Sequence, residues 1–282
     1  KLLSKMNVKS LKKLDDGKIS LFINDDESFI ADSVLIATGS MPHGYQLARN
    51  LGHSTTEMAP SLFTFKIEDV ILESLSGTSF SQASLTLKIE GAKPFGQKGP
   101  LLITHWGLSG PALLKLSAWA AREMMHTNYK AKITVNWLGI ENLSDGEKLL
   151  STIKMKNTKT SVGKAYPNDL TKRFWLQLLI KCEILKEKNW SEISKKELKL
   201  IMKNLFSCEL DVIGKSRFKE EFVECGGINL KEISFKTMES KICPGLYFSG
   251  EVMDIDGITG GFNFQSAWTS GWIAGSNMPL NK

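Results

Sequence analysis

Hydrophobic residues recur at two periods along this chain, and the switch between them divides it. Residues 18–23 place Ile19, Leu21 and Ile23 on one face, as a half-buried strand requires. The tight-turn signal Asp15-Asp16-Gly17 separates this run from a short strand expected over 8–14. A second turn at 24–27 leads to a third strand beginning at Phe29. Alternation is strict again at 62–67, 84–89 and 132–137; with glycine-containing turns between, this predicts a small barrel or curled sheet. From 144 to 222 the period becomes helical. Segments 147–153, 170–180 and 198–206 carry amphipathic stripes, and Ser194-Lys-Lys-Glu197 is a capping box. Strand signals resume at 210–213 and 222–225.

Two short apolar runs break the alternation and end in glycine. One is Val34-Leu-Ile36, running into Ala37-Thr38-Gly39; the other is Leu246-Tyr-Phe248, closed by Ser249-Gly250. Buried strands read this way. A helix is expected after the first, over 43–53, with Tyr45, Leu47, Ala48 and Leu51 as its stripe and Gly52 as its stop. After the second, Glu251, Asp254 and Asp256 gather three carboxylates. Gly260-Gly261-Phe262-Asn263 then open a segment with small residues at Ser266, Ala267, Ser270, Gly271, Ala274 and Gly275. On a helix these share a face that admits another backbone or a flat ligand, and a helix start bare of side chains offers free N–H groups to electron-rich oxygens.

Composition narrows the field. The 282 residues are 42% hydrophobic and 23% charged, the profile of a globular protein with a substantial core. No run of 18 apolar residues suggests a membrane span, so no membrane partner is expected. Cys182, Cys208, Cys225 and Cys243 are scattered without a zinc-ligand spacing, which fits reduced thiols in the cytoplasm and excludes a disulfide scaffold. The net charge of +6 comes mostly from lysine, much of it between 148 and 203, where lysines are read as alternating with glutamates. With no nucleic-acid motif in view, that reading makes the segment a solvated face, and no nucleic-acid partner is expected. Other constellations fail on spacing: Pro111 breaks a nucleophile elbow at 107–111, Thr259 stands where a calcium loop needs glycine, and Glu209 where a P-loop needs one.

Taken together, Ala-Thr-Gly at 37–39, Gly-Tyr-x-Leu-Ala-x-x-x-Gly-His at 44–53, Thr-His-x-Gly-x-Ser-Gly-Pro at 104–111, and the segment 225–271 resemble the BaiN-like, aminoacetone-oxidase-like flavoproteins. The resemblance implies an α/β, overall α+β, architecture: part of a two-dinucleotide-type FAD domain, interrupted by a β-barrel-like insertion that carries a small helical subdomain. The expected parts are 1–60 and 234–282 for the FAD domain, 61–140 and 207–233 for the β-rich insertion, and 141–206 for the helices. The function implied is FAD-dependent oxidation or reduction of a small organic substrate, either by an oxidase using O₂ or by a reductase taking electrons from diffusible NAD(P)H. The alternative is a cofactor-free relative acting as a structural or binding protein.

The resemblance assigns cofactor contacts to Ala37, Thr38, Gly39, Gly250, Glu251, Asp254, Gly260, Gly261, Phe262 and Asn263, with Glu251 or Asp254 accepting from the ribityl chain. His105, beside a glycine-rich turn, is the candidate for proton exchange with substrate; a purely structural role for it is equally consistent with the sequence. No metal ligand is expected. Two departures from the family pattern stand out. The loop after Gly39 is short, and Gly-x-Gly-x-x-Gly is absent from these residues. From the second, and from a first residue that is lysine, the expectation is a piece of a longer chain whose pyrophosphate-binding unit lies outside it, binding FAD weakly or not at all on its own.

Overall fold

The computed structural model describes residues 2–24, 27–215 and 223–279. The expected turn at Asp25 and Asp26, Ser216, and the expected strand start at Phe222 lie outside the described residues. The chain divides into two compact units, Lys1–Ser61 with Val223–Lys282, and Leu62–Phe222.

The first unit opens with three antiparallel strands, β1 (Val8–Lys13), β2 (Ile19–Ile23) and β3 (Glu27–Ala31). The turn between β1 and β2 places Gly17 at φ 85°, which a side chain would resist. Then β4 (Val34–Ile36) leaves the meander for a different sheet. Helix α1 (Pro42–Asn50) starts on a proline, whose missing N–H costs nothing in a first turn, and buries Tyr45, Leu47 and Ala48. A short strand, β5 (Ala59–Ser61), completes this part.

In the second unit a closed barrel is built from β6 (Phe65–Ile67), β7 (Ser79–Lys88), β8 (Phe95–Thr104), β9 (Gly107–Ser109), β10 (Ala131–Asn136) and β11 (Cys208–Lys215). Its order is β10-β11-β6-β9-β8-β7, and β7 pairs with β10 to close it, so no edge is left for stray pairing. Between β9 and β10 run α2 (Pro111–Trp119) and α3 (Ala121–His126); between β10 and β11 run α4 (Leu143–Lys156), α5 (Lys172–Lys181) and α6 (Lys195–Phe206). The capping box at Ser194 and Glu197 is present at the start of α6. The helices have no separate core. Leu150, Phe174, Trp175, Leu178, Ile201 and Leu205 belong to the same buried cluster as the barrel's Phe65, Leu85, Ile103, Ile133 and Val135. The ring of Trp137 lies 4.8 Å from those of Phe80 and Phe174, joining strand and helix. Residues 141–206, expected as a small helical subdomain carried by the β-rich insertion, thus share a core with the barrel.

Returning to the first unit, β12 (Val223–Cys225) pairs with β5, which groups residues 223–233 with this unit rather than with the β-rich part. After it come β13 (Ile233–Ser234), β14 (Glu239–Ser240), β15 (Leu246–Phe248) and the long helix α7 (Phe262–Asn277). The sheet order is β13-β14-β15-β4, with β15 parallel to β4 in the register Leu246–Val34, Tyr247–Leu35 and Phe248–Ile36. Both runs are apolar and short because helices and loops cover them: Leu246, Phe248 and Ile36 are almost fully buried. The architecture is mixed α/β, with a closed six-stranded barrel as its second part. Among the described residues, no helix is long and apolar enough to cross a membrane.

Candidate functional site

Because β4 and β15 are parallel, the segments that follow them leave the sheet on the same side. Ser249 N–H donates to the Ile36 carbonyl at 3.1 Å, bringing Gly250-Glu251 next to Ala37-Thr38-Gly39. The carboxyl ends of parallel strands are where open α/β sheets bind ligands. The small residues of α7 are used to seat that helix on β15. Gly250 N–H donates to Ser270 Oγ at 3.0 Å, Ser249 Oγ lies 3.1 Å from Ser270 Oγ, and a side chain on Gly250 would stand 3.6 Å from Ala267 Cβ. The partner of the small-residue face is thus a backbone rather than a flat ligand.

At its start α7 has no side-chain cap, and Gly261 holds the left-handed conformation with φ 84°. Gly39, at φ 62°, and Gly261 both face open space, with no atom within 4 Å of where a Cβ would sit. The first N–H groups of a 16-residue helix are thereby left bare. Asn263 contributes only through its backbone: its side chain accepts from Gly257 N–H at 2.6 Å and donates to the Gly257 carbonyl at 3.0 Å, closing the loop before the helix. Thr38 packs against Gly44, where a Cβ would collide with its hydroxyl at 1.8 Å.

The carboxylates do not act as a cluster. Asp256 accepts from Ser61 Oγ at 3.1 Å. Glu251 sits in partial burial, which raises its pKa, and the negative charge of Glu224 raises it further. Burial and the same two glutamates push the Tyr45 phenol up to about 12. Uncapped N–H donors, glycines with open space around them and acceptors at the carboxyl end of a parallel pair form a donor set that fits the polar groups of a flavin.

His105 lies in the other unit. It is exposed at the tip of the β8–β9 hairpin and lines an open cleft of about 610 Å³ with Glu68, Asp69, Glu73 and Arg173. The adjacent glycines are not loose, as the sequence suggests. A side chain on Gly107 would fall 2.4 Å from the Phe65 carbonyl, so this glycine exists to let β9 pass close to β6.

Two features of the first unit escape sequence reasoning. Gly226 and Gly227 sit at a crossing of three backbones, with Ile228 bridging both Thr55 and Met253. This crossing fixes where the 254–256 loop starts, and the Gly-Gly pair is its signal in the sequence. The other feature is a bracket around His53. Its Nδ1 lies 2.9 Å from Glu232 Oε2 and its Nε2 2.8 Å from Ser240 Oγ. The connectivity is that of a hydrolase triad. However, Ser240 Oγ already accepts from Ile242 and Cys243 N–H, and both His53 and Ser240 are buried. The hydroxyl therefore donates to Nε2, Nδ1–H points at Glu232, and the arrangement is structural.

Burial lowers the pKa of His53, against the opposing pull of Glu232. A histidine whose pKa is lower folded than unfolded contributes stability above its unfolded value, lost as pH falls toward the folded one. For Glu232, burial raises the pKa, but bonds from Ser54 and His53 outweigh it and leave it lowered. Its contribution also disappears on acidification, at lower pH. The urea midpoint of the first unit's transition should thus drop between pH 7.5 and 5.5. His53→Gln should flatten that dependence and cost about 1–3 kcal/mol at pH 7.5, as expected for buried partners left unpaired.

Comparison with known proteins adds the following. The sequence model of the HI0933-like protein Rossmann domain matches residues 1–277. The chain is 27% identical over 256 residues to the ribosomal RNA dihydrouridine synthase of Escherichia coli (strain K12), covering 88% of this chain and 60% of that protein. Against the ribosomal RNA dihydrouridine synthase of Haemophilus influenzae it is 30% identical over 285 residues, with 96% and 67% covered. It is 26% identical over 259 residues to the 3-dehydro-bile acid delta(4,6)-reductase of Clostridium scindens, with 89% and 63% covered. The chain therefore spans 60% of the first of these curated relatives and 67% of the second.

The expectation of no nucleic-acid partner is overturned by the two relatives named for ribosomal RNA. Its physical basis was also too coarse. Lysine and glutamate do alternate over 181–203, but residues 148–168 hold five lysines and no carboxylate.

Proposed function

Since the chain belongs to the HI0933-like family of Rossmann-domain proteins, we propose that the protein is an FAD-dependent reductase that saturates a carbon–carbon double bond, with a uridine in RNA as its substrate. One observation carries the flavin part: the parallel pair β4–β15 gathers Ala37-Thr38-Gly39 and Gly250-Glu251 at one end. In this reading the uncapped start of α7 at Gly260-Gly261 completes the cofactor site. The relatives' names support the reaction class. Dihydrouridine is uridine with its ring double bond reduced, and a delta(4,6)-reductase also removes unsaturation. Both are reductions, which favours a reductase fed by NAD(P)H over an oxidase.

A flavin supplies hydride transfer that no side chain can perform. The chain's own residues hold and orient it. The N–H groups of Phe262 and Asn263 face electron-rich oxygens and stabilise negative charge there. Glu251 or Asp254 accepts from a hydroxyl of the ribityl chain. Gly39 and Gly261 keep space open for the cofactor at either side. His105 is the chain's candidate for proton exchange with substrate.

The test is anaerobic incubation of the purified protein, FAD and NADPH with ribosomal RNA from a strain lacking the gene, followed by nucleoside mass spectrometry. Uridine gaining two hydrogens is the expected result. Saturation of a steroid enone with RNA left unchanged would give the small-molecule reading instead. His105→Gln should lower turnover at least ~10-fold at unchanged flavin content, as loss of an acid–base group does.

A further inference from the structure

The cleft beside His105 in the second unit is lined by three carboxylates and Arg173. Another cleft of this unit has only cations among its charged lining residues. It is a groove of about 510 Å³ between the end of α4 and the loop before α5, lined by Lys156, Asn157, Lys164, Tyr166 and Asn168 among others. Among the described residues its lining holds no Asp or Glu, and neither Lys156 nor Lys164 is in an ion pair. Asn168 is exposed and its amide is hydrogen-bonded to no described residue. Lys156 and Lys164 come from the stretch 148–168, which holds five lysines and no carboxylate and is followed by Asp169.

The groove wall is also rigid. Trp175 Nε1 donates to the Val162 carbonyl at 2.8 Å, and Trp190 Nε1 to the Ala165 carbonyl at 2.9 Å. Val162 and Gly163 N–H bond the carbonyls of Lys188 and Lys186. Tyr166, half-buried, continues a run of near-parallel rings: 6.2 Å and 23° from Trp175, which is 6.4 Å and 28° from Trp190. A loop pinned by two indoles thus presents an aromatic ring and unpaired ammonium groups to one concave surface. Cations tracking a backbone, with an aromatic platform for a base, are what single-stranded nucleic acid requires.

We propose that this groove docks a single-stranded RNA segment, with Lys156 and Lys164 against successive phosphates and Tyr166 stacking on a base. The proposal rests on the RNA reading above and assigns it a surface. Binding of a fluorescein-labelled oligouridine of about 12 nucleotides, read by anisotropy, tests it. Lys156→Gln/Lys164→Gln should weaken binding about 10-fold or more at low salt. Its log–log salt slope should shrink by about 1.4, the share of two phosphate contacts to a single strand. Lys195→Gln/Lys196→Gln removes equal charge at the start of α6, outside the groove, and should change affinity less than about 3-fold. All four lysines are exposed, so both variants should keep the wild-type flavin absorbance. If wild type binds RNA and both double variants weaken it alike, the groove is not the site, although the RNA reading stands. If wild type binds no RNA, or instead sediments only with phosphatidylserine vesicles, the RNA reading falls and the groove with it.

Discussion

In the full-length protein, replacing Gly260 and Gly261 together by valine should abolish FAD binding while most of the fold survives. Both glycines have positive φ, 127° and 84°, and both are exposed. Side chains there would project at the bare start of α7, where the N–H groups of Phe262 and Asn263 await electron-rich oxygens. A Cβ on Gly261 meets nothing within 4 Å and one on Gly260 meets only the exposed Phe262 ring, at 3.1 Å, so the main cost to the fold is backbone strain of about 1–2 kcal/mol per residue. The loss in affinity should exceed 100-fold, because the valines fill the space and fray the donors. Gly275→Val, in the same helix and also in open space, is the control and should keep its flavin. Flavin fluorescence on titration reads both variants. A double variant that retains wild-type affinity would mean that the cofactor is held elsewhere.

A second change should act on the fold itself. Gly227→Ala places a methyl group 2.6 Å from the Met253 carbonyl carbon, 2.7 Å from its oxygen and 2.8 Å from Asp254 N. All three are backbone atoms and cannot swing aside, and φ is 145°. The crossing must open, breaking the bonds from Ile228 N–H to the Val252 carbonyl and from Asp254 N–H to the Ile228 carbonyl, both of which now close it. More than about 3 kcal/mol should be lost, in the range of the most damaging single substitutions. Gly91→Ala, at φ 78° in an open turn, should cost only about 1 kcal/mol. The urea midpoints of the two variants make the comparison. Equal midpoints would show that the crossing tolerates a side chain.

These contrasts show what the sequence makes legible. The meander of β1 to β3 is readable because turn residues and alternation agree over consecutive strands. That β4 and β15 are buried strands is readable because both are unbroken apolar runs ending in small residues. Barrel closure is not, since it joins β7 to β10 and β6 to β11 across long separations, and alternation carries no register between distant strands. The stripe on α5 predicts a helix and a buried face, but not that Phe174 packs against Trp137 of the barrel. Gly226-Gly227 reads as a turn; only the crossing of 57–58, 226–228 and 252–254 explains both residues. Charge misleads when averaged: 148–203 looks balanced, whereas its first third is cationic throughout. His53 looks like any lone histidine, since Glu232 and Ser240 are 179 and 187 residues away in sequence.

The central claim is that flavin binds where β4, β15 and the start of α7 converge. Hydrogen–deuterium exchange of the full-length protein with and without FAD tests it segment by segment. FAD should slow exchange at 37–39, 250–254 and 260–264 and leave the barrel strands unchanged. Protection confined to other segments, with these three exchanging as before, would contradict the account.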